Sequence, residues 1–195
     1  MASTLVLVNC SRTKDSVSTN HKYEPAEACT RFLPQVRRSV HGDYALGKLG
    51  VQVGADFGSL IEGFNSTEPI YKEAHVRYRG SVFPDTREAH WIALEDAGYH
   101  VVILSALYGA VRPFERIQNY DLMLTHTLME YWQQAHLSKH IAAFAALRQC
   151  TRTLFLLTDL LYMGMLNTSI LPPSFQQQDR DRATVYGKWL RSLAQ

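Results

Sequence analysis

The stretch LVLVNCSRTK, residues 5–14, decides the fold. Its first four residues form a short apolar run that is typical of a β-strand covered on both faces. A polar tip follows at once, from Asn9 to Lys14. In parallel α/β sheets, ligands bind beyond the carboxyl ends of the strands, where loops diverge and helix N-termini point their free N–H groups outward. The tip is therefore predicted to lie in a binding site.

Two more apolar runs, VVILS at 101–105 and TLFLLT at 153–158, predict further buried strands. Helical spacing lies between and beyond the three runs, with Pro25, Pro84 and Asp85 as start signals, at residues 25–40, 85–97, 127–148 and 179–194. Alternating strands and helices predict an α/β, three-layer domain with a central, mainly parallel sheet. Residues 41–77 are punctuated by glycines and are interpreted as an irregular insertion with short helical pieces.

Length and composition limit the classes of protein that fit. The 195 residues, 46% of them hydrophobic, predict a single domain over 1–195. The sequence has no apolar run of about 18 residues and no secretory-signal layout, so a cytoplasmic protein without a membrane partner is expected. Three widely spaced cysteines and scattered histidines suggest neither disulfides nor a metal site. The net charge of +2 neither demands nor excludes a nucleic-acid partner.

The first polar tip supplies several candidate site residues. Asn9 and Ser11 can hydrogen-bond a ligand, and Arg12 or Lys14 can bind a phosphate. The alternative is that Asn9 and Ser11 only form a turn or cap a helix.

A second tip lies in LSALYGAVRPFERIQNYDLML, residues 104–124. Tyr108 and Tyr120 offer faces for stacking a base, Arg112 suits a phosphate or carboxylate, and Asp121 is the carboxylate available as acid, base or cation stabiliser. The residues from Gln118 to Asp121 are predicted to lie in a loop. In the alternative interpretation, Arg112 and Asp121 form a structural ion pair that fixes this loop.

Two weaker elements complete the set. VRYRGSVF, residues 76–83, carries Tyr78, Arg79 and Gly80 before a predicted helix, and its Gly-Ser step can present amides to an anion. Asp159 follows the third strand, where it either joins the site or serves as a helix N-cap.

These motifs resemble those of the YaaA family of peroxide-stress proteins. Residues 104–124 are similar to its Leu-Ser-Gly-Leu-Tyr-Gly, Arg-Pro and Pro-Tyr-Arg-Leu signature, and residues 5–14 resemble its first strand and the Cys-Ser-x-Thr-Lys tip of small YaaA-like domains. YRGSVF matches a Tyr-x-Gly-x-x-Phe element, and MEYWQQ, residues 129–134, resembles a Tyr-x-Phe-Trp stretch. Asp121 and Asn119 stand where the signature has Arg and Pro. The insertion over 15–75 has no counterpart in the resemblance.

The resemblance implies a fold similar to the uracil-DNA glycosylase superfamily and a link to DNA binding and protection from oxidative damage. Antiviral glycosylases that excise glucosylated hydroxymethylcytosine from phage DNA are also similar to uracil-DNA glycosylases. The hypothesis is therefore a monofunctional DNA glycosylase, independent of metals and cofactors, that acts on a base flipped out of double-stranded DNA. The insertion is expected to act as a lid or wedge that sets specificity.

The chemistry distributes the candidate residues among three roles. Cleavage of an N-glycosidic bond needs charge stabilisation on the sugar and on the departing base. The predicted catalytic residues are Asn9, Asp121 and Asp159. Predicted to bind the substrate are Cys10, Ser11, Tyr23, Tyr78, Gly80, Ser105, Tyr108, Gly109, Asn119 and Tyr120. Predicted to contact DNA phosphates are Arg12, Lys14, Arg79 and Arg112.

Three other functions stay open at this stage. The chain could be a non-catalytic DNA-binding, stress-protective protein of YaaA type. It could instead cleave small nucleosides or phosphoribosyl compounds. In a lyase variant, Lys14 would attack the sugar as a Schiff-base nucleophile.

Overall fold

A computed structural model describes residues 3–15, 34–45, 48–49, 57–80, 83, 87–174 and 192. Each run of apolar residues in the sequence forms a strand of one sheet. In chain order the strands and helices are β1 (Ser3–Asn9), α1 (Pro34–Ala45), α2 (Phe57–Phe64), β2 (Tyr71–Glu73), α3 (Ala74–Arg77), α4 (Glu88–Asp96), β3 (Tyr99–Ser105), β4 (Gly109–Val111), β5 (Arg116–Gln118), α5 (His126–Gln134), α6 (Leu137–Leu147), β6 (Cys150–Leu156) and α7 (Leu160–Gly164).

The central sheet has the strand order β4-β3-β1-β6. Strand β1 pairs in parallel with both β3 and β6, whereas β4 runs antiparallel at the edge. The predicted mainly parallel sheet is thus confirmed. Asn9 lies opposite Leu104, and Val8 lies opposite Leu156, so the carboxyl ends of the three parallel strands coincide. This register brings the three polar tips to one edge, which we call the carboxyl edge.

Both faces of the sheet are covered, as the apolar runs predict. Successive side chains of a strand point to opposite faces, and residues 4–8 of β1 and 100–105 of β3 are all buried. Helix α4 packs on β3, while α6 packs on β4 and β6. Trp91 of α4 and Trp132 of α5 are buried in the core, as expected; Trp189 lies outside the described residues.

The helix predicted over 127–148 is in fact two helices. Helices α5 and α6 are separated at His136, which adopts a left-handed conformation with φ of 58°. No glycine or proline marks this break in the sequence, so helical spacing alone could not reveal it. The prediction over 85–97 is confirmed by α4. Of the helix predicted over 179–194, only residue 192 is described, and it is helical; the start signals Pro25, Pro84 and Asp85 lie outside the described part of the chain.

A second, two-stranded antiparallel sheet joins β2 to β5, with Tyr71 opposite Gln118. Gln118 therefore belongs to a strand, and its assignment to a loop was wrong. The predicted short helical pieces of residues 41–77 are found as α2 and α3. Among the helices described, none has the length and apolar character needed to cross a membrane.

Candidate functional site at the carboxyl edge of the sheet

The first polar tip and the Tyr-x-Gly element lie against each other. Lys14 and Tyr78 form an antiparallel β-bridge, and the Arg79 N–H donates to the Thr13 carbonyl over 2.9 Å. A Cβ on Gly80 would come within 2.6 Å of the Ser11 Cβ, closer than real Cβ atoms approach. Gly80 is therefore required because the backbone passes directly over Ser11. Two elements singled out separately in the sequence form one surface.

Asn9 joins the tips of β1 and β6. Its Oδ1 accepts hydrogen bonds from the Thr158 backbone N–H at 3.1 Å and from the Thr158 hydroxyl at 3.0 Å. Its Nδ2 donates to the Cys10 carbonyl at 3.1 Å. These bonds fix the orientation of the amide, and an amide nitrogen carries two donors. The half-buried Asn9 side chain thus holds one N–H that is oriented and uncommitted within the described structure.

A buried network of hydroxyl and thiol groups underlies this surface. Tyr120 OH lies 2.8 Å from Ser105 Oγ, 2.9 Å from Tyr78 OH and 3.8 Å from Cys10 Sγ. Tyr162 OH lies 3.1 Å from the same Cys10 Sγ. We call these five side chains the tyrosine cluster. Burial raises the pKa of Tyr78, Tyr120 and Tyr162 above the ordinary value for tyrosine, so all three phenols are neutral donors at physiological pH.

The burial of these rings changes the part assigned to them from sequence. Tyr78 is fully buried, and Tyr108 and Tyr120 are each 1% exposed. Tyr108 OH accepts the Gln118 N–H at 2.9 Å, while the Tyr108 N–H donates to Ser105 Oγ at 3.1 Å. A base cannot stack on rings that are enclosed in the core. The structure thus places Tyr78, Tyr108 and Tyr120 as supports of the carboxyl edge.

Lys14 lies above the tyrosine cluster. Its ammonium is 4.1 Å from the centroid of the Tyr120 ring, and Nζ donates to the Arg12 carbonyl at 3.3 Å. Burial lowers the pKa of Lys14, and the neighbouring Cys10 and Asp121 partly oppose this shift. The lowered pKa means that Lys14 gives up its proton more readily than a surface lysine, and the neutral amine is the nucleophilic form.

Asp121 enters the site from the loop after β5. Its backbone N–H donates to Tyr44 OH at 3.0 Å, which fixes the loop to α1. Tyr44 is fully buried and lies edge-on to Tyr120, with centroids 6.5 Å apart. The Asp121 carboxylate is half-buried and close enough to Lys14 to affect its pKa. The loop that carries the predicted carboxylate is therefore ordered by a residue of the 15–75 segment.

Arg112 does not belong to this surface. It follows β4, which runs back from the carboxyl edge, and its guanidinium pairs with Glu95 at 2.6 Å and stacks on Phe144. The ion pair with Asp121 that the sequence left open is therefore wrong. Since only 13% of the Arg112 side chain is exposed, a phosphate would have to displace Glu95 to reach it. The exposed cations at the tip are Arg12 and Arg79.

Asp15, the residue after the tip, anchors it from behind. Its Oδ2 accepts from the buried Lys72 at 3.0 Å and from Arg79 at 3.1 Å. Its backbone N–H donates to the Arg77 carbonyl at 2.8 Å. Sequence reasoning missed this anchor and the contact of Tyr44 with the Asp121 loop, because both involve partners that are distant along the chain.

The remaining predicted residues have structural surroundings. Asp159 is exposed and caps α7, with its Oδ1 accepting the Leu161 N–H at 2.8 Å, as the N-cap interpretation predicted. Gly109 has φ of +70°, and a Cβ there would lie 2.7 Å from the Trp132 ring. Asn119 lines a cavity beside α2. Tyr23 lies outside the described residues. Within the described ranges, no three His, Cys, Asp or Glu side chains are grouped to hold a metal ion.

These features define an α/β domain whose parallel strands end in one polar edge rimmed by cations. The chain belongs to the peroxide stress protein YaaA family, because the sequence model of that family matches residues 6–189. UPF0246 protein Mmar10_0828 of Maricaulis maris (strain MCS10) is 28% identical over 106 residues, which are 51% of this chain and 39% of that protein. The chain thus matches well under half the length of this curated relative. Membership confirms the resemblance carried by the strand-end motifs. Because the match runs through residues 15–75, the expectation that this segment has no counterpart in the family was wrong.

Proposed function

We propose that the protein is a DNA glycosylase with a fold of the uracil-DNA glycosylase type, which acts on a modified or damaged base in double-stranded DNA. The observation that supports this most is that Lys14 and Asp121 lie close enough to interact at the carboxyl edge, where Asn9 ends β1 and where open α/β sheets bind ligands. The three residues come from two different tips and are linked through Cys10 and Tyr120. They offer an oriented donor, a cation and a carboxylate to one substrate.

Hydrolysis adds the hydroxyl of water to C1′ of the sugar, and the base leaves with the electron pair of the C–N bond and takes up a proton. The carboxylate of Asp121 stabilises the positive charge that develops on the sugar and can accept the proton of the attacking water. The uncommitted N–H of Asn9 donates to the edge of the departing base, where negative charge grows. Arg12 and Arg79 bind the flanking phosphates.

In this proposal, the tyrosine cluster makes the site rigid. Its hydroxyls connect β1, β3 and the Asp121 loop, so the catalytic groups keep their spacing without a ligand. Since Tyr78, Tyr108 and Tyr120 are enclosed, stacking of a flipped base falls to the 15–75 segment, in which Tyr23 is a candidate. This assignment agrees with the lid and specificity role expected for that segment.

The proposal is tested with duplex oligonucleotides that carry uracil, 8-oxoguanine, 5-hydroxymethylcytosine or glucosylated hydroxymethylcytosine at one position. Each is incubated with the protein and then treated with hot alkali, which breaks the strand at an abasic site. We expect breaks with at least one modified base, and glucosylated hydroxymethylcytosine is the first substrate to try, as the resemblance suggests. Asp121→Asn should lower the rate by about 10²-fold or more. Asp96→Asn, an exposed aspartate at the end of α4, is the matched control and should retain the wild-type rate.

The lyase variant is tested in the same reaction. Borohydride would trap a Schiff base between Lys14 and the sugar as a covalent adduct. A monofunctional enzyme gives abasic sites without an adduct. An adduct that disappears in Lys14→Met but persists in Lys139→Met would assign the lysine a covalent role in place of phosphate binding.

A second candidate function is a DNA-binding, stress-protective protein without catalysis. The match to the peroxide stress protein YaaA family favours it. This function predicts a gel shift with unmodified duplex DNA and no abasic sites from any substrate. Arg79→Ala and added salt should both weaken the DNA binding. That combination of results would refute the glycosylase proposal.

A further inference from the structure

A cavity of about 210 Å³ lies between α2 and the end of β5, beside the loop that carries Asp121. One wall is the face of α2 with Leu60 and Gly63, and the other includes Ile70. Polar groups make up the rest of the lining. The complete lining is Ser59, Leu60, Gly63, Ser66, Glu68, Ile70, Arg77, Gln118 and Asn119.

Two neighbouring amides in this lining have hydrogen-bonding capacity to spare. Gln118 is 7% exposed, and its Nε2 donates to the Phe64 carbonyl at 3.1 Å, which orients the amide and leaves Oε1 without a partner in the described structure. The half-buried side chain of Asn119 makes no hydrogen bond to any described residue. Neither unpaired group is enclosed in the protein interior, so both open into the cavity. The two amides therefore present acceptors and donors to whatever occupies the cavity.

A buried positive charge lies at the same wall. Arg77 is 1% exposed, and its guanidinium donates to the backbone carbonyls of Asp15 and Ile70. Its Nε has no hydrogen-bond partner. The carboxylate of Asp15 is already shared by Lys72 and Arg79, and that of Glu68 belongs to an exposed residue of the lining. The charge of Arg77 therefore favours a ligand that places oxygen atoms or partial negative charge in the cavity.

We propose that this cavity binds a single planar heterocycle with an amide edge, of the size and kind of a nucleobase. The volume is below the range of about 300–1,000 Å³ for drug-sized ligands, so one ring system fits and a nucleotide does not. Leu60 and Ile70 supply aliphatic faces for the ring. Asn and Gln amides make paired hydrogen bonds with base edges. Base binding by the cavity stands by itself. The further statement that the cavity receives the base taken from DNA rests on the proposed function.

Gly63 offers a way to close the cavity without disturbing its other walls. A Cβ at Gly63 meets nothing within 4 Å, so Gly63→Met should extend into the cavity while it improves the helix propensity of α2. Gly42 of α1 is the matched control, because it also lies in a helix with nothing within 4 Å but does not line the cavity. Asn119→Leu removes one amide and keeps the side-chain volume.

The test is saturation-transfer NMR of the full chain with free cytosine, 5-hydroxymethylcytosine, uracil and guanine, with glucose and inorganic phosphate as competitors. We expect at least one base to bind the wild type and Gly42→Met, and about tenfold weaker binding in Gly63→Met and Asn119→Leu, which corresponds to about 1.4 kcal/mol. No base binding to the wild type, equal binding in Gly63→Met, or preferential binding of glucose or phosphate would each overturn the inference.

The DNA assay separates this inference from the proposed function. Base binding that Gly63→Met abolishes, together with an absence of abasic sites from all substrates, would refute the glycosylase and support the pocket. Abasic sites formed equally fast by Gly63→Met and Gly42→Met would support the glycosylase and refute the pocket as the place for the base.

Discussion

The hydroxyl of Tyr120 is the central member of the tyrosine cluster, and its removal gives the sharpest test of the site's architecture. It contacts Ser105 Oγ at 2.8 Å and Tyr78 OH at 2.9 Å in a fully buried setting. Tyr120→Phe leaves both partners in place but takes away the group that joins them. Since a buried partner left unsatisfied costs about 1–3 kcal/mol, we expect a loss of about 2 kcal/mol in the free energy of unfolding at pH 8.

The same loss should shrink at alkaline pH, and the sign follows from the pKa of Tyr120. Burial raises this pKa above the value of about 10 in the unfolded chain. A raised phenol pKa contributes stability below pH 10 that is lost as the pH increases, because the unfolded tyrosine ionises while the folded one does not. The wild type therefore loses about 1.4 kcal/mol per pH unit above 10 that Tyr120→Phe does not lose. At pH 11 the variant should lie within about 1 kcal/mol of the wild type.

Urea unfolding at pH 8 and pH 11, followed by circular dichroism, measures both values. Tyr131→Phe is the control at pH 8, because Tyr131 is half-buried with no described side-chain hydrogen bond, and its change should stay within about 0.5 kcal/mol. A Tyr120→Phe cost that is below 0.5 kcal/mol at pH 8, or that grows between pH 8 and pH 11, would contradict the buried network.

Two further predictions concern glycines of the motifs, each measured by the urea midpoint. Gly109→Ala should lower the free energy of unfolding by about 2–5 kcal/mol, because the left-handed φ of +70° adds about 1–2 kcal/mol to the cost of displacing Trp132. Gly98→Ala is the control: its φ is +82°, but a Cβ there has no neighbour within 3.5 Å, so only the backbone cost is expected. Equal costs for the two variants would refute the contact with Trp132. Gly80→Ala should cost about 1–3 kcal/mol through its collision with Ser11, and Ser11→Gly in the same chain should recover part of that loss; additive effects would refute the close approach.

The sheet was predictable from sequence because its strands are recognised one at a time. Residues 5–8 and 101–105 are continuous apolar runs, and a strand buried on both faces leaves that pattern wherever it pairs. Strands β4 and β5 have three residues each and leave no such pattern, so they were interpreted as loop. The break at His136 was missed for a related reason, since a single residue with positive φ can interrupt a helix without a glycine.

The convergence of several candidate residues at one edge of the sheet was predictable, but their burial and contacts were not. The rule that ligands bind beyond strand carboxyl ends placed Asn9, Lys14 and Tyr120 at one edge without knowledge of any contact. Burial is a property of the whole fold, and no local signal distinguishes a tyrosine that faces a ligand from one whose hydroxyl is held by Ser105. The pairing of Arg112 with Glu95 instead of Asp121 depends in the same way on where α4 ends.

The enclosed tyrosines also bear on where substrate specificity would lie under the proposed function. A polar network that is fully satisfied holds one arrangement and gives little room for adaptation to different substrates. Among the described candidate residues, groups with free hydrogen-bonding capacity include the second N–H of Asn9, the carboxylate of Asp121 and the amides of Gln118 and Asn119. The first two lie at the carboxyl edge, while the amides face α2, a helix of the 15–75 segment that the family model also matches. Under the proposed function, we therefore expect cleavage and selection of the base to depend on different parts of the chain, and changes in α2 should alter which base is bound before they alter how the bond is cleaved.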